Sequence, residues 1–535
     1  MPGTYTYPGV YVEEMPGGVR SIVGVSTSDT AFVDFFPRGP MNVATRVTSF
    51  GELTRLFGGL DPRSEASYAL LQYYLNGGQI AWIVRVAGGT PAAARVALRS
   101  DYTGEDTLLV RAASEGLWGE SLEVGVDYRT RDPLAFPDEF NLVVREVVSA
   151  GGRRQVASSE VHRNLSMRTD SPRWAAAVVN EESALVRLAN LGAGGVPNAT
   201  GADVTDPSVI ADTRDTNTAF VAVRDSANPA SDGAVPDSAA LRGEQAQRTG
   251  IYALDSIDPY VFNVLCLPAA ATLASGMAAV YNEAASFCER KRAILIVDIP
   301  ENVNTVPEVD TWAPDNAIAS SRNAAVYFPR LLVSDPLNND RPRNVGPSGT
   351  IAGVYARTDS TRGVWKAPAG TDASLRGASL AVRLNDQDNG ALNPLGVNVL
   401  RNFAIFGNVC WGARTMEGAD QQASEWKYVP VRRTALYIEE SLARGLKWVV
   451  FEPNDEPLWS QIRLNVGAFM QDLFRQGAFQ GKSPREAYFV KCDSETTTQS
   501  DINRGVVNIV VGFAPLKPAE FVVIQIQQMA GQAAA

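Results

Sequence analysis

At 535 residues the chain exceeds what one hydrophobic core ordinarily holds, so two to four domains are expected. Hydrophobic residues make up 45% and charged residues 20%, a globular balance that excludes wholesale disorder. The net charge of −11 argues against a generic nucleic-acid binder, whose affinity rests on neutralising phosphates, and favours solubility instead.

Taken in order, residues 4–14 alternate around Pro8 and Gly9 and predict an extended N-terminal arm over 1–20. The opening MPGTYTYPGV has no basic region followed by an apolar run, so no secretory signal peptide is expected. Residues 21–89 read as the first part of a core α/β domain, with strands over 22–25, 30–34 and 80–86. A helix over 64–75 follows Asp61-Pro62 and stops before Asn76-Gly77-Gly78. From 90 to 249 the texture becomes that of an inserted β-rich outer domain, with strands over 107–110, 121–128, 140–148 and 219–224. Its second half, rich in Asp, Ala, Pro and Gly, suits long solvent-facing loops. The core resumes over 250–397. A strand over 261–267, a helical stripe of Leu273, Met277, Val280, Ala284 and Phe287, and a strand over 293–299 form a βαβ unit. The apolar window 260–280 belongs to this unit rather than to a membrane span. A strand over 324–333 and a small-residue helix over 348–358 follow.

Residues 398–513 read as a C-terminal domain, and 514–535 as a C-terminal arm and tail. Ala435, Ile438 and Leu442 share one helical face, and Gly445 is expected to supply a left-handed C-cap. The apolar run 446–451 predicts a strand buried on both faces. Asp455, Glu456 and Pro457 then open a second helix, along which Trp459, Ile462, Val466, Phe469 and Leu473 form an apolar stripe of about 30 Å. Its other face carries Gln461, Arg463, Asn465, Gln471, Asp472 and Arg475. Strands are expected over 487–492, 506–513 and 520–528; the last is apolar on both faces and needs a pairing partner. The fold class is therefore α/β (α+β): a mixed-sheet core, an inserted β-rich domain, and a C-terminal α/β docking domain completed by extended N- and C-terminal arms.

Catalytic chemistry is not legible, and neither cofactor nor metal is expected. The only histidine, His162, excludes His-based triads and multi-His metal sites and reads as an ordinary surface residue. The cysteines Cys266, Cys288, Cys410 and Cys492 lack metal-ligand spacing and read as buried reduced thiols. GAFQGKS at 477–483 is one residue short of a phosphate-binding loop and follows a helix. Glu439 and Glu440 diverge by about 100° as adjacent helical residues, so they are not an acid–base pair. Asp386 and Asp388 read as a turn, not as a calcium loop.

The segments YPGVYVEE (7–14), PSGTIAGVYARTDSTRGVWKAPAG (347–370), LNPLGVNVLRNF (392–403), WGARTM (411–416), YIEES (437–441) and WVVFEPNDEPLW (448–459) resemble, in order, those of contractile tail sheath proteins. The resemblance covers most of the chain outside 96–249. It implies a structural subunit that polymerises helically around an inner tube and contracts to drive that tube through a target envelope. It also implies arms donated between neighbours, for which Val10, Tyr11, Val12 and Glu13, and Val522, Val523, Ile524, Gln525 and Ile526, are the expected strands. The implied partners are further copies of the chain, the tube protein, and baseplate and terminator proteins, without nucleic acid or membrane insertion. Assembly in the bacterial cytoplasm, as part of a phage tail or tail-like particle, follows from the same resemblance. The helix opened by Asp455 is expected to face the tube through Arg463, Arg475 and Lys482, because residues 456–491 carry five basic against three acidic residues in an acidic chain. The alternatives are an α/β enzyme with an unrecognised site, separable as a small closed oligomer, and a static tube or baseplate component.

Overall fold

The computed structural model describes residues 21–192, 194–200 and 220–525. Val10, Tyr11, Val12, Glu13 and Ile526 lie outside the described residues. Contacts divide the described residues into two units, one of residues 26–361 with 367–429, the other uniting 21–25 and 362–366 with 430–525.

The larger unit begins with β1 (Thr30–Asp34), β2 (Thr45–Val47), α1 (Phe50–Phe57), α2 (Glu65–Asn76) and β3 (Ala81–Arg85). The expected strand at 22–25 does not form; these residues belong to the other unit. Helix α1 was not anticipated, although its ends carry ordinary signals: Ser49 Oγ accepts from the Glu52 N–H, and Gly58 closes the helix at φ 94°.

The insertion contributes β4 (Arg95–Arg99), β5 (Asp106–Ala112), β6 (Leu122–Asp127), β7 (Glu139–Ala150), β8 (Arg153–Ser166), α3 (Ala175–Glu182), β9 (Val186–Asn190) and β10 (Val221–Ala222). These build two antiparallel sheets, ordered β10-β6-β7-β8 and β4-β5-β9, around an apolar core that includes Val110, Val124, Phe140 and Leu142. The entering and leaving chains pair at Gly88 with Ala234 and at Ala92 with Ser231, forming a neck. Beyond the neck, α4 (Ser238–Arg242) places Leu241 in the same core cluster as Ile251 and Leu254. The insertion therefore closes near Ser231 rather than at 249.

The core continues with β11 (Val264–Cys266), α5 (Met277–Lys291), β12 (Ile294–Asp298), α6 (Val306–Asp315), β13 (Ala324–Phe328), β14 (Leu331–Asp335), β15 (Arg341–Val345), α7 (Ser348–Arg362), β16 (Ala378–Leu380), α8 (Asp386–Leu392), β17 (Val397–Phe403) and β18 (Gly407–Cys410). The expected βαβ unit is present, β11 and β12 pairing in parallel around α5. The single strand expected over 324–333 is two strands, because Pro329 cannot donate to a ladder and breaks the run. Asp386 and Asp388 lie in the first turn of α8, and Asp388 accepts from the Asn385 N–H in a capping box, so the expected turn is a helix start.

The central sheet runs β18-β17-β13-β12-β11-β1-β3-β2, parallel throughout except at its two edge strands. Its strands are apolar on both sides because both faces are covered: Ala31 and Val33 enter one core cluster, Phe32 the other. Since β17 pairs with β13, residues 398–429 belong to this unit, which corrects the domain boundary expected at 398.

Two carboxylates tie the strand ends to helix N-termini. Asp34 closes β1 and accepts from the Phe35 N–H at 2.7 Å and the Ala66 N–H at 2.6 Å, the latter in the first turn of α2. Asp298 closes β12 and accepts from the Ser348 N–H at 2.9 Å and hydroxyl at 2.5 Å, at the start of α7. Burial pushes the Asp34 carboxyl up to about 8 despite those N–H bonds. The folded state therefore holds this proton where the unfolded chain, titrating at 3.8, has released it. The associated stability is present at low pH and is lost as pH rises through about 8. Relative to Asp34→Asn, the natural protein should gain up to about 1.4 kcal/mol of unfolding free energy per pH unit as pH falls from 8 to 6. Urea titrations of both proteins at each pH check this; parallel pH profiles would show that Asp34 stays ionised.

The smaller unit holds α9 (Val429–Gly445), which starts at the unit boundary, then α10 (Glu456–Arg475), α11 (Pro484–Ala487), β19 (Tyr488–Lys491), α12 (Gln499–Asn503) and β20 (Val510–Phe513).

Candidate assembly surface

The smaller unit is held by α10, whose start is determined locally: Asp455 accepts from the Leu458 N–H at 3.2 Å, and Pro457 occupies the first turn, where its missing N–H costs nothing. Trp459, Ile462, Val466, Phe469 and Leu473 are buried as the spacing requires. Ile22 joins the same cluster, and the Val25 N–H donates to Ser441 Oγ at 3.2 Å, so residues 22–25 lie along α9 instead of forming a core strand. Gly445 ends α9 but is not left-handed; a Cβ there would lie 2.6 Å from Ile22, so it is a close approach that requires the glycine.

The strand expected over 446–451 is absent. Lys447–Val449 makes a short 3-10 turn, Trp448 and Val449 pack on the cluster, and Val450 and Phe451 project into solvent. Among the described residues the run pairs with no strand. Asn465, placed by spacing on the polar face of α10, is instead buried, and both ends of its amide lack partners among the described residues.

Strands β19 and β20 pair antiparallel with Tyr488 opposite Phe513 and Lys491 opposite Val510. They form a two-stranded sheet to which no third strand is added among the described residues. The chain then passes Pro515, which bridges Phe479, and residues 516–525 adopt neither helix nor strand. Phe521, Val522, Val523 and Ile524 are 76–81% exposed, and Gln525 is exposed beside them. The sequence required a partner for this apolar segment; the described residues of its own chain do not supply one.

Of the three expected tube-facing residues, Arg463 is engaged within the unit, pairing with Glu456 at 2.5 Å and donating to the Cys492 carbonyl. Arg475 is 72% exposed with Asp472 at 3.8 Å, and Lys482 is exposed in the loop after α10.

His162 is buried, not on the surface as expected; β8 carries it between Glu160 at 3.4 Å and Glu182 at 3.6 Å. Glu440 pairs with Arg444 and Glu439 with Arg432. All four cysteines are free and buried, and burial pushes the thiols of Cys410 and Cys492 up to about 12 and about 11. Among the described residues no group of three His, Cys, Asp or Glu is arranged to hold a metal, and no helix is long and apolar enough to cross a membrane.

Comparison with known proteins agrees with this architecture. The chain is 30% identical over 188 residues to the tail sheath protein of Vibrio phage KVP40, a match covering 35% of this chain and 27% of that protein. The chain thus spans less than a third of that relative's length. Two sheath structures share its fold over 98% of the chain. The sheath of the extracellular contractile injection system PVC in its contracted state is similar at a TM-score of 0.57 and 20% identity, over 98% of that chain. The contracted helical sheath of the anti-feeding prophage is similar at 0.55 and 24%, over 100% of that chain. The profile of the phage tail sheath protein central domain matches residues 239–416, and that of the phage tail sheath C-terminal domain matches 421–529. The two profiles together cover just over half of the chain, which belongs to the contractile tail sheath family.

Proposed function

We propose that this chain is the structural subunit of a contractile sheath, polymerising helically around an inner tube and shortening to drive the tube through a target envelope. The observation that carries the reading is a pairing deficit among the described residues of the smaller unit: a two-stranded sheet to which no third strand is added, and an exposed, largely apolar arm, Val522 to Gln525, that can supply a strand. Each copy then offers an acceptor and a donor, which is what an open helical polymer needs. Val10, Tyr11, Val12 and Glu13, with Ile526, are assigned to the same exchange by family resemblance. Purified protein should form tubular polymers, seen in micrographs as long thin and short wide cylinders when the tube protein is supplied. A small closed oligomer would overturn the reading and favour an enzyme; cylinders of one width only would favour a static tube or baseplate component.

The particle we envisage is a phage tail or tail-like assembly formed in the bacterial cytoplasm, capped by terminator proteins and docked on a baseplate. Facing the tube, Arg475 is the favoured contact on α10, since Arg463 is occupied within its own unit. Arg475→Glu should reduce coating of tubes several-fold at physiological salt while leaving tubeless polymers intact; coating at natural levels excludes this face. The insertion is read as an outward lobe that assembly does not need. Replacing residues 91–231 with a short Gly/Ser turn across the neck should leave a soluble chain that still polymerises. An insoluble product, or one that folds but does not assemble, refutes this role.

A further inference from the structure

The loop between α9 and α10 is built in a way that solvation alone does not explain. Phe451 is fully exposed, Val450 is 62% exposed, and Phe451 takes φ 71°, the left-handed region that a bulky side chain disfavours. The rest of the loop holds it there. Trp448 and Val449 pack on the C-terminal cluster, and the Glu452 N–H donates to the Val449 carbonyl at 3.2 Å. Asn454 accepts from Trp459 Nε1 at 2.8 Å and donates to the Val506 carbonyl at 3.0 Å. A strained backbone that is fixed by its surroundings, and that turns an aromatic ring outward, is the mark of a binding position more than of a connector.

Charge points to the occupant. Beside the tip stands Glu452, exposed and in no ion pair among the described residues; of the other charged groups nearby, Glu456 is held by Arg463, Asp455 caps α10, and Lys447 is exposed on the same loop. Beyond the other end of α10, a helix about 30 Å long, Lys482 lies in the following loop and Arg485 in α11. Both are exposed, and neither is in an ion pair among the described residues. Four residues beyond Arg485, Phe489 on β19 is 53% exposed. One copy thus bears an apolar tip beside Glu452 and, past the far end of α10, the basic pair Lys482 and Arg485, from which β19 brings Phe489 back along the helix, Tyr488 Oη lying 2.9 Å from Gln471.

We infer that smaller units pack head to tail, the Val450–Glu452 tip of one copy seating against the Lys482–Phe489 surface of the next. This rests on the sheath reading above and adds to it a side-chain contact distinct from arm exchange. A second copy is favoured because both complementary surfaces belong to this chain, and an unlike contact of this kind repeats into a helical polymer.

The test uses the full chain with four variants: Phe451→Asn, Glu452→Lys, Lys482→Glu combined with Arg485→Glu, and the charge swap Glu452→Lys with Lys482→Glu. Asparagine tolerates the left-handed conformation, so Phe451→Asn should melt no lower than the natural protein while polymerising at least ten-fold less by sedimentation. The single-sided charge variants should also polymerise poorly, and the swap should restore assembly. A lowered melting temperature in Phe451→Asn would give the ring a merely structural role and overturn the inference, as would unimpaired polymers or a swap that restores nothing. Variants that form tubeless polymers normally but fail only to coat tubes would assign this surface to the tube instead. If the natural protein forms no polymer at all, the sheath reading itself fails, a result distinct from loss confined to the variants.

Discussion

Deleting residues 521–535 should yield a soluble, cooperatively folding chain that no longer forms sheaths. The folded state should barely register the loss, because Phe521, Val522, Val523 and Ile524 are 76–81% exposed and bury little against their own chain. The assembled state should register it strongly. A strand of four or five residues added to a sheet edge makes several backbone hydrogen bonds at about 0.5–1.5 kcal/mol net each. Burying its apolar side chains adds about 1.5–3 kcal/mol for each one fully covered. Losing about 5 kcal/mol per contact weakens it by more than three orders of magnitude, enough to dissolve a polymer at micromolar concentration. Backbone pairing also suits a lattice that changes length, since it survives the sliding of globular surfaces that contraction entails. Analytical ultracentrifugation and negative-stain microscopy check the outcome; ordered sheaths from the truncated chain would remove the arm from the mechanism. Val522→Asp with Ile524→Asp, which keeps the chain length, should give the same loss.

Gly349→Ala should destabilise the larger unit by about 3 kcal/mol, the upper range for forced overpacking. In α7, Gly349 and Gly353 face α2 at backbone contact. A Cβ on Gly349 would fall on the Ala69 carbonyl, 2.6 Å from its carbon, and one on Gly353 would lie 2.6 Å from the Tyr73 oxygen. The obstacle is helix backbone on both sides, and Ala69 and Tyr73 are themselves buried, so neither helix has room to retreat. Alanine's better helix propensity returns only about 1 kcal/mol. Gly390→Ala in α8 is the control, since a Cβ there meets nothing within 4 Å; it should be neutral or slightly stabilising. Guanidinium unfolding followed by tryptophan fluorescence compares the two, and equal midpoints would show that the α2–α7 contact opens without cost.

What could be read from the residues was what is decided locally. The start of α10 needed only Asp455, Glu456 and Pro457, and its buried stripe needed only the helical period. The β11-α5-β12 unit followed from a switch of period between adjacent segments. Local signals also marked α1, with Ser49 before it and Gly58 after it, but an eight-residue helix gives too short a stripe to stand out. The extended apolar C-terminal segment was evident, and so was its need for a partner.

Tertiary structure alone decided everything that depends on neighbours distant in sequence. Residues 446–451 have strand composition, yet a strand requires an edge to pair with; among the described residues none pairs with them, and Trp448 and Val449 turn inward while Phe451 turns out. Asn465 was polar by spacing and buried by packing, and His162 passed from presumed surface to interior because β8 pairs with β7. Residues 22–25 were drawn to α9, more than 400 positions away. The boundary near 430 was invisible because β17, adjoining the C-terminal unit in sequence, pairs with β13 about 70 residues earlier. Hydrogen-bond ladders between strands leave no local trace of which strands will meet, so composition and period specify elements, and the choice of partners belongs to the folded chain.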